Sequence, residues 1–141
     1  MKLQTIVFPT DFSPASESAL GVATTVARAT TARLLIVHVK HEPHGEKPSE
    51  AAMDPDSISL ARMLEEVRPN DTTVPYAHRL VSGTAAEEII ALAERERADL
   101  IVMATHGRTG LARMLMGSVA EEVVRRASCA VLTVKGVSGE G

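Results

Sequence analysis

The chain has no tryptophan, one tyrosine and two phenylalanines in 141 residues, so aromatics make up only 2% of it. A core built from this composition has to be aliphatic. Single-stranded nucleic acid held by base stacking is excluded as a ligand, because stacking needs aromatic platforms. Basic excess is lacking too: 15 Lys and Arg against 18 Asp and Glu leave a net charge of −3, which offers no electrostatic footprint for DNA or RNA. Cys129 is the single cysteine, so there is no intramolecular disulfide framework, and that usage suits a reducing cytoplasm. No apolar run approaches the roughly 18 residues of a membrane helix, and the N-terminus has no signal-peptide core. The expectation is a soluble cytoplasmic protein with neither a membrane nor a nucleic-acid partner.

What the chain does have is enough apolar residues, 45%, to build one core. A chain of this length buries roughly 70% of its unfolded surface, so residues 1–141 are read as a single domain with a polar tail at 137–141. Short apolar runs alternate with helical spacings. Leu3–Phe8, Leu34–Val39, Val74–Val81, Leu100–Ala104 and Ala130–Val134 read as strands. The third alternates most and is placed nearest a sheet edge. Helical spacing covers Ala15–Arg28, Ile58–Val67, Glu87–Arg97 and Ser118 to about Ala127. Ser13-Pro14 supplies an N-cap followed by a first-turn proline. Thr84-Ala85-Ala86-Glu87 and Ser118-Val119-Ala120-Glu121 match capping boxes. Residues 40–56, with Pro43, Gly45, Pro48 and Pro55, read as a mobile loop.

Strands alternating with helices predict an α/β fold, a doubly wound parallel sheet with helices on both faces. Ligands of such sheets sit beyond the carboxyl ends of the strands, where the strand order reverses. Three segments follow strands onto that rim: Pro9–Ser13, Val39–Glu42 and Ala104–Gly117. The last is the most informative. It joins a buried strand through Gly107, Gly110 and Gly117 to a helix N-terminus, where backbone N–H groups and the helix dipole favour an anion such as phosphate. The same glycines also serve as turn and cap residues, with Ser118 and Glu121 a simple capping box. Neither GxxxxGK nor GxGxxG occurs, so the P-loop and dinucleotide fingerprints are absent.

Arg108 and Arg113 offer positive charge to a phosphate, and His106 lies in the same loop. His38-x2-His41-x2-His44 has a superficial metal spacing, but no cysteine or acidic ligand completes a defined geometry, and no metal site is assigned. No Gly-x-Ser-x-Gly elbow is present. Cys129 opens a buried strand, and Glu65-Glu66, Glu87-Glu88 and Glu121-Glu122 read as solvated helix faces, so no catalytic residue is assigned.

The spacing Ala104-x2-Gly107-x9-Gly117-Ser118, with Pro9-Thr10-Asp11-Phe12-Ser13 after the first strand and His38-Val39 ending the second, closely resembles the universal stress protein family. The likeness runs from Leu3 to Val134. The family's nucleotide-binding branch carries Gly-x2-Gly-x9-Gly-Ser/Thr, and Ala104 replaces the first glycine. The resemblance implies an adenine-nucleotide α-hydrolase-like sheet of order 3-2-1-4-5. It implies an adenine nucleotide (ATP, ADP or AMP, with or without Mg²⁺) held by Pro9, Thr10, Asp11, Val39, Met103, Ala104, Gly107, Arg108, Gly117, Ser118 and Val119. Asp11 would meet the adenine or ribose end, where a carboxylate accepts from hydroxyls. Val39 and Met103 would line the adenine pocket, although both also fit as ordinary strand-end core residues.

The implied activity is a nucleotide-dependent regulatory module of the stress response. Any ATP hydrolysis would be slow, because no base for the attacking water is identifiable. The implied partners are an unidentified regulatory protein and a second copy of the chain, paired through Ala130–Val134. The alternative is a dimeric stress or interaction protein of the same family that binds no nucleotide, and Ala104 is its support. If the first glycine is needed for positive φ, alanine there costs on the order of 1 kcal/mol or more; if it only permits close approach, one methyl is tolerated. A third reading, an enzyme releasing pyrophosphate from ATP with a co-substrate, finds no co-substrate pocket in the sequence.

Overall fold

Five parallel strands and four helices alternate along the chain, in a computed structural model that describes residues 2–42, 54–106 and 116–135. They are β1 (Thr5–Pro9), α1 (Pro14–Thr30), β2 (Arg33–His41), α2 (Pro55–Glu65), β3 (Tyr76–Gly83), α3 (Ala85–Arg95), β4 (Leu100–Ala104), α4 (Ser118–Arg126) and β5 (Ala130–Val134). The sheet order is β3-β2-β1-β4-β5 with every pairing parallel, as expected from the sequence, and β3 lies at an edge.

Alternation of side chains along the strands divides the core into two layers. Ile6, Phe8, Leu34, Ile36 and Val102 pack with Ala19, Ala23 and Ala27 of α1 and Leu64 of α2. Val7, Leu35, Val37, Ile101 and Met103 pack on the opposite face with Ile89 and Leu92 of α3 and Val123 of α4. Strands buried on both faces have no polar side to show, which is why their sequences run apolar without alternation. The chain winds outward through α1 and α2, returns through α3 to the far side of β1, and winds outward again through α4. The reversal falls between β1 and β4.

Helix ends account for most departures from the sequence reading. α1 starts as expected, with Ser13 Oγ accepting from the Ser16 amide and Pro14 in the first turn. α2 begins at Pro55 and ends at Glu65 rather than spanning Ile58–Val67, because Asp54 caps it, accepting from the Ser57 amide at 2.7 Å. Lys40 Nζ lies 2.8 Å from the same aspartate's Oδ2 and 3.2 Å from Ser57 Oγ. The polar segment is therefore shorter than 40–56: Lys40 and His41 belong to β2, and Pro55 and Asp56 to α2. Residues 43–53 of that loop and the tail at 137–141 lie outside the described residues.

Neither capping box forms. Thr84 and Gly117 occupy the N-cap positions without a side-chain bond to the helix, and Ser118 is the first residue of α4 rather than its cap. α3 accordingly runs Ala85–Arg95, two residues earlier than Glu87–Arg97. The first strand starts at Thr5 and includes Pro9, and the third runs to Gly83. Among the described residues no helix is long and apolar enough to cross a membrane.

Candidate functional site

The carboxyl ends of β1, β2 and β4 open onto a cavity of about 240 Å³ at the topological reversal, where ligands of open parallel sheets bind. Pro9, Thr10 and Asp11 form one wall, Val37, His38 and Val39 a second, and Met103, Ala104, Thr105 and His106 a third. Gly117, Ser118, Val119 and Ala120 close it from α4, with Ser16 from α1 and Ala85 and Ile89 from α3. Pro9, Thr10, Asp11, Val39, Met103, Ala104, Gly117, Ser118 and Val119 thus line one cavity. Gly107 and Arg108, like Gly110 and Arg113, lie outside the described residues. None of the described lining residues is Lys or Arg.

The β1 wall is held by short-range polar bonds. Thr10 donates its amide to Val37 O at 2.9 Å and accepts the Phe12 amide on Oγ1 at 3.0 Å. Asp11 Oδ1 accepts the Ser13 amide at 3.0 Å and the Ser16 hydroxyl at 2.8 Å. An aspartate bonding the backbone two residues on is the local turn this residue favours, and here it also joins the loop to the first turn of α1. Phe12 carries φ 65, the left-handed region that a bulky residue occupies only where its surroundings hold it.

The β4 wall ends in a tie. Thr105 donates its amide to Val134 O at 2.9 Å, and its own carbonyl accepts the Gly117 amide at 2.6 Å. Thr105 and Gly117, separated by the glycine loop, therefore stand side by side at the mouth of the cavity. Gly117 has no side chain with which to cap α4, and Glu121 is the first residue whose amide finds a backbone acceptor there, Gly117 O at 2.9 Å. The amides of Ser118, Val119 and Ala120 precede it at the positive end of α4, the arrangement that suits an anion. The acidic residues of that turn are engaged along the helix: Glu121 pairs with Arg125 at 3.9 Å, and Glu122 with Arg126.

Ala104 raises no backbone difficulty. The described non-glycine residues with positive φ are Phe12, Thr31 and Arg97. Ala104 is an ordinary strand residue in register with Val134, and its methyl packs beside the core layer under α1 and α2. Glycine is not required at this position for conformational reasons.

Ser16, His38 and Thr105 line the cavity without having been singled out for it. For Ser16 a signal existed, since Asp11, Ser13 and Ser16 are spaced as a turn followed by a cap. His38 stood out only in the His38-x2-His41-x2-His44 spacing and in the His38-Val39 end of the second strand. Its Nδ1 lies 2.8 Å from Thr10 O, and a carbonyl only accepts, so the ring donates there. Among the described residues no group of three or more His, Cys, Asp or Glu could hold an ion; His44, the third member of the His38, His41 and His44 spacing, lies outside them. Burial pushes the half-buried Cys129 thiol upward, which disfavours the reactive thiolate.

A family model described as the universal stress protein family matches residues 2–135. A universal stress protein of Methanocaldococcus jannaschii is 37% identical over 137 residues, spanning 92% of this chain and 81% of its own length. Among solved structures, a universal stress protein in complex with cAMP superposes with a TM-score of 0.73 at 24% identity, over 97% of this chain and all of the other. One from Archaeoglobus fulgidus in complex with dAMP reaches 0.62 at 18%, over 96% and 98%. At those identities the two structures are likenesses of fold.

Proposed function

The chain belongs to the universal stress protein family, and on that premise we propose that the cavity at the β1–β4 reversal binds an adenine nucleotide. The observation that carries this reading is the convergence, on one cavity, of an α4 N-terminus without a side-chain cap and the braced carboxylate of Asp11. The first suits a phosphate and the second a ribose hydroxyl or base amine, and the two ends of a nucleotide need opposite chemistry. Relatives of the same fold are known in complex with cAMP and with dAMP, which supports an adenine nucleotide over other phosphates. In this reading Pro9, Thr10, Asp11, Val39 and Met103 serve the nucleoside end. Ala104, Gly107, Arg108, Gly117, Ser118 and Val119 serve the phosphates.

ATP, ADP and AMP all fit this division, and a triphosphate would bring Mg²⁺ to offset its own charge beside Asp11. The protein then works as a cytoplasmic regulatory module whose nucleotide state is read by a partner. No cavity residue is assigned as base for an attacking water, so any ATP hydrolysis is slow. The alternative without nucleotide rests on Ala104, and the regular strand geometry there answers only the conformational part of that argument. We also propose a homodimer through β5. That strand lies at a sheet edge with Leu132 38% exposed, and an apolar edge is a template for pairing. Calorimetry with ATP, ADP and AMP tests the site, and dissociation constants all weaker than about 1 mM would sink it. Sedimentation tests the dimer: a monomer at micromolar concentration overturns it.

A further inference from the structure

The Thr10–Ser13 turn contributes Asp11 to the cavity while holding Phe12 in the left-handed region at φ 65. Local bonds help keep it there: Thr10 Oγ1 to the Phe12 amide, and Asp11 Oδ1 to Ser13 and Ser16. A side chain also reaches it from another strand. His38 of β2 donates Nδ1–H to the Thr10 carbonyl at 2.8 Å, and its ring centroid lies 4.5 Å from that of Phe12, with the planes inclined by 39°. The imidazole thus bonds the residue before Asp11 and packs on the residue after it.

We propose that His38 is a positioning residue for the nucleotide site, bracing the Asp11 turn in its binding conformation. The proposal rests on the nucleotide reading above. Without the brace the turn relaxes out of the left-handed conformation in the free protein. Ligand must then reorder it, and affinity falls by the fraction of molecules no longer competent. The Nδ1 bond is the operative contact. An asparagine amide nitrogen occupies nearly the same place as Nδ1 and donates likewise, whereas phenylalanine keeps the ring face against Phe12 and loses the donor.

The test compares wild type, His38→Asn and His38→Phe by calorimetry with AMP and by amide hydrogen exchange in the nucleotide-free proteins. His38→Leu replaces His38→Phe should the larger ring prevent folding. The expected result is a dissociation constant about tenfold higher in His38→Phe, with His38→Asn within about threefold of wild type. Exchange at the Phe12 and Ser13 amides rises by a similar factor in His38→Phe alone. Equal affinity of wild type and His38→Phe overturns the proposal. Unchanged exchange at Phe12 and Ser13 does so too. Equal loss of affinity in both variants also overturns it, because it assigns the ring to direct contact with ligand. Wild type that fails to bind AMP, ADP and ATP defeats the nucleotide reading and this role with it, before any variant is compared.

Discussion

Ser16 donates its hydroxyl to Asp11 Oδ1 across 2.8 Å, and the same oxygen takes the Ser13 amide at 3.0 Å. One carboxylate oxygen therefore joins the end of β1 to the start of α1, and Ser16, only 5% exposed, helps to fix its direction. Removing the hydroxyl in Ser16→Ala leaves Asp11 with one anchor fewer in a partly dry setting. A hydrogen bond to a charged group contributes about 1.5–3 kcal/mol, and the lower end applies because Asp11 keeps the Ser13 amide. The variant is expected to melt earlier and to bind adenine nucleotide several-fold more weakly. Thermal denaturation and calorimetry on the same preparation check this, and a variant unchanged in both removes the anchoring role.

Acid should loosen the junction between β2 and α2. The Lys40 ammonium, then the Ser57 amide, hold the Asp54 carboxyl at about 2, below its ordinary 3.8. The folded state thus favours the ionised form. The resulting stabilisation is fully present above the unfolded value and is lost as pH falls through the folded one. Asp54 is still 44% exposed and Lys40 17%, so salt should weaken the effect. Melting temperatures of wild type and Asp54→Asn should differ by a constant amount above about pH 5 and converge toward pH 2. A gap that does not change over that range would contradict the assignment.

The sheet was legible because its signals are additive. β4 and β5 fall on the expected residues, since short, mostly apolar runs between helical segments read as strands of a sheet covered on both faces. Helix starts were less legible. Ser118 with Glu121 satisfies the capping-box pattern, yet Gly117 takes the cap because its amide is drawn to Thr105 O, a contact between loop ends that spacing does not reveal. Asp54-Pro55 was overlooked as a start since it closes a Pro- and Gly-rich stretch. Within the site, the rim segments were placed by topology and their residues by motif. Ser16 and His38 act on the turn through contacts from another element, and such contacts leave no periodic mark.

Gly83 is a position where the backbone dictates the residue. Its φ is +143, and an added Cβ would lie 2.7 Å from Glu88 Cγ. Gly83→Ala is expected to destabilise the protein by more than about 1 kcal/mol. The contact is with a flexible side chain, which can swing aside, so the double variant with Glu88→Ala should recover only part of the loss. Full recovery in denaturant unfolding would show that crowding, and not the backbone angle, selects glycine here.

The sharpest functional prediction concerns Ala104. Its backbone lies within β4, in register with Val134, and its methyl packs beside the layer under α1 and α2. Ala104→Gly therefore removes apolar contact and loosens a strand without relieving any strain. Glycine in mid-strand costs about 0.5–1 kcal/mol relative to alanine and less at the last residue of a strand, so the melting temperature should fall slightly. Nucleotide affinity should stay within about threefold of wild type, about 0.65 kcal/mol, because the backbone at this position is already regular. Calorimetry with ATP and AMP on both proteins decides the matter. Binding that appears only in Ala104→Gly would mean that the methyl closes the site, and that the natural chain belongs to the branch of its family that works without nucleotide.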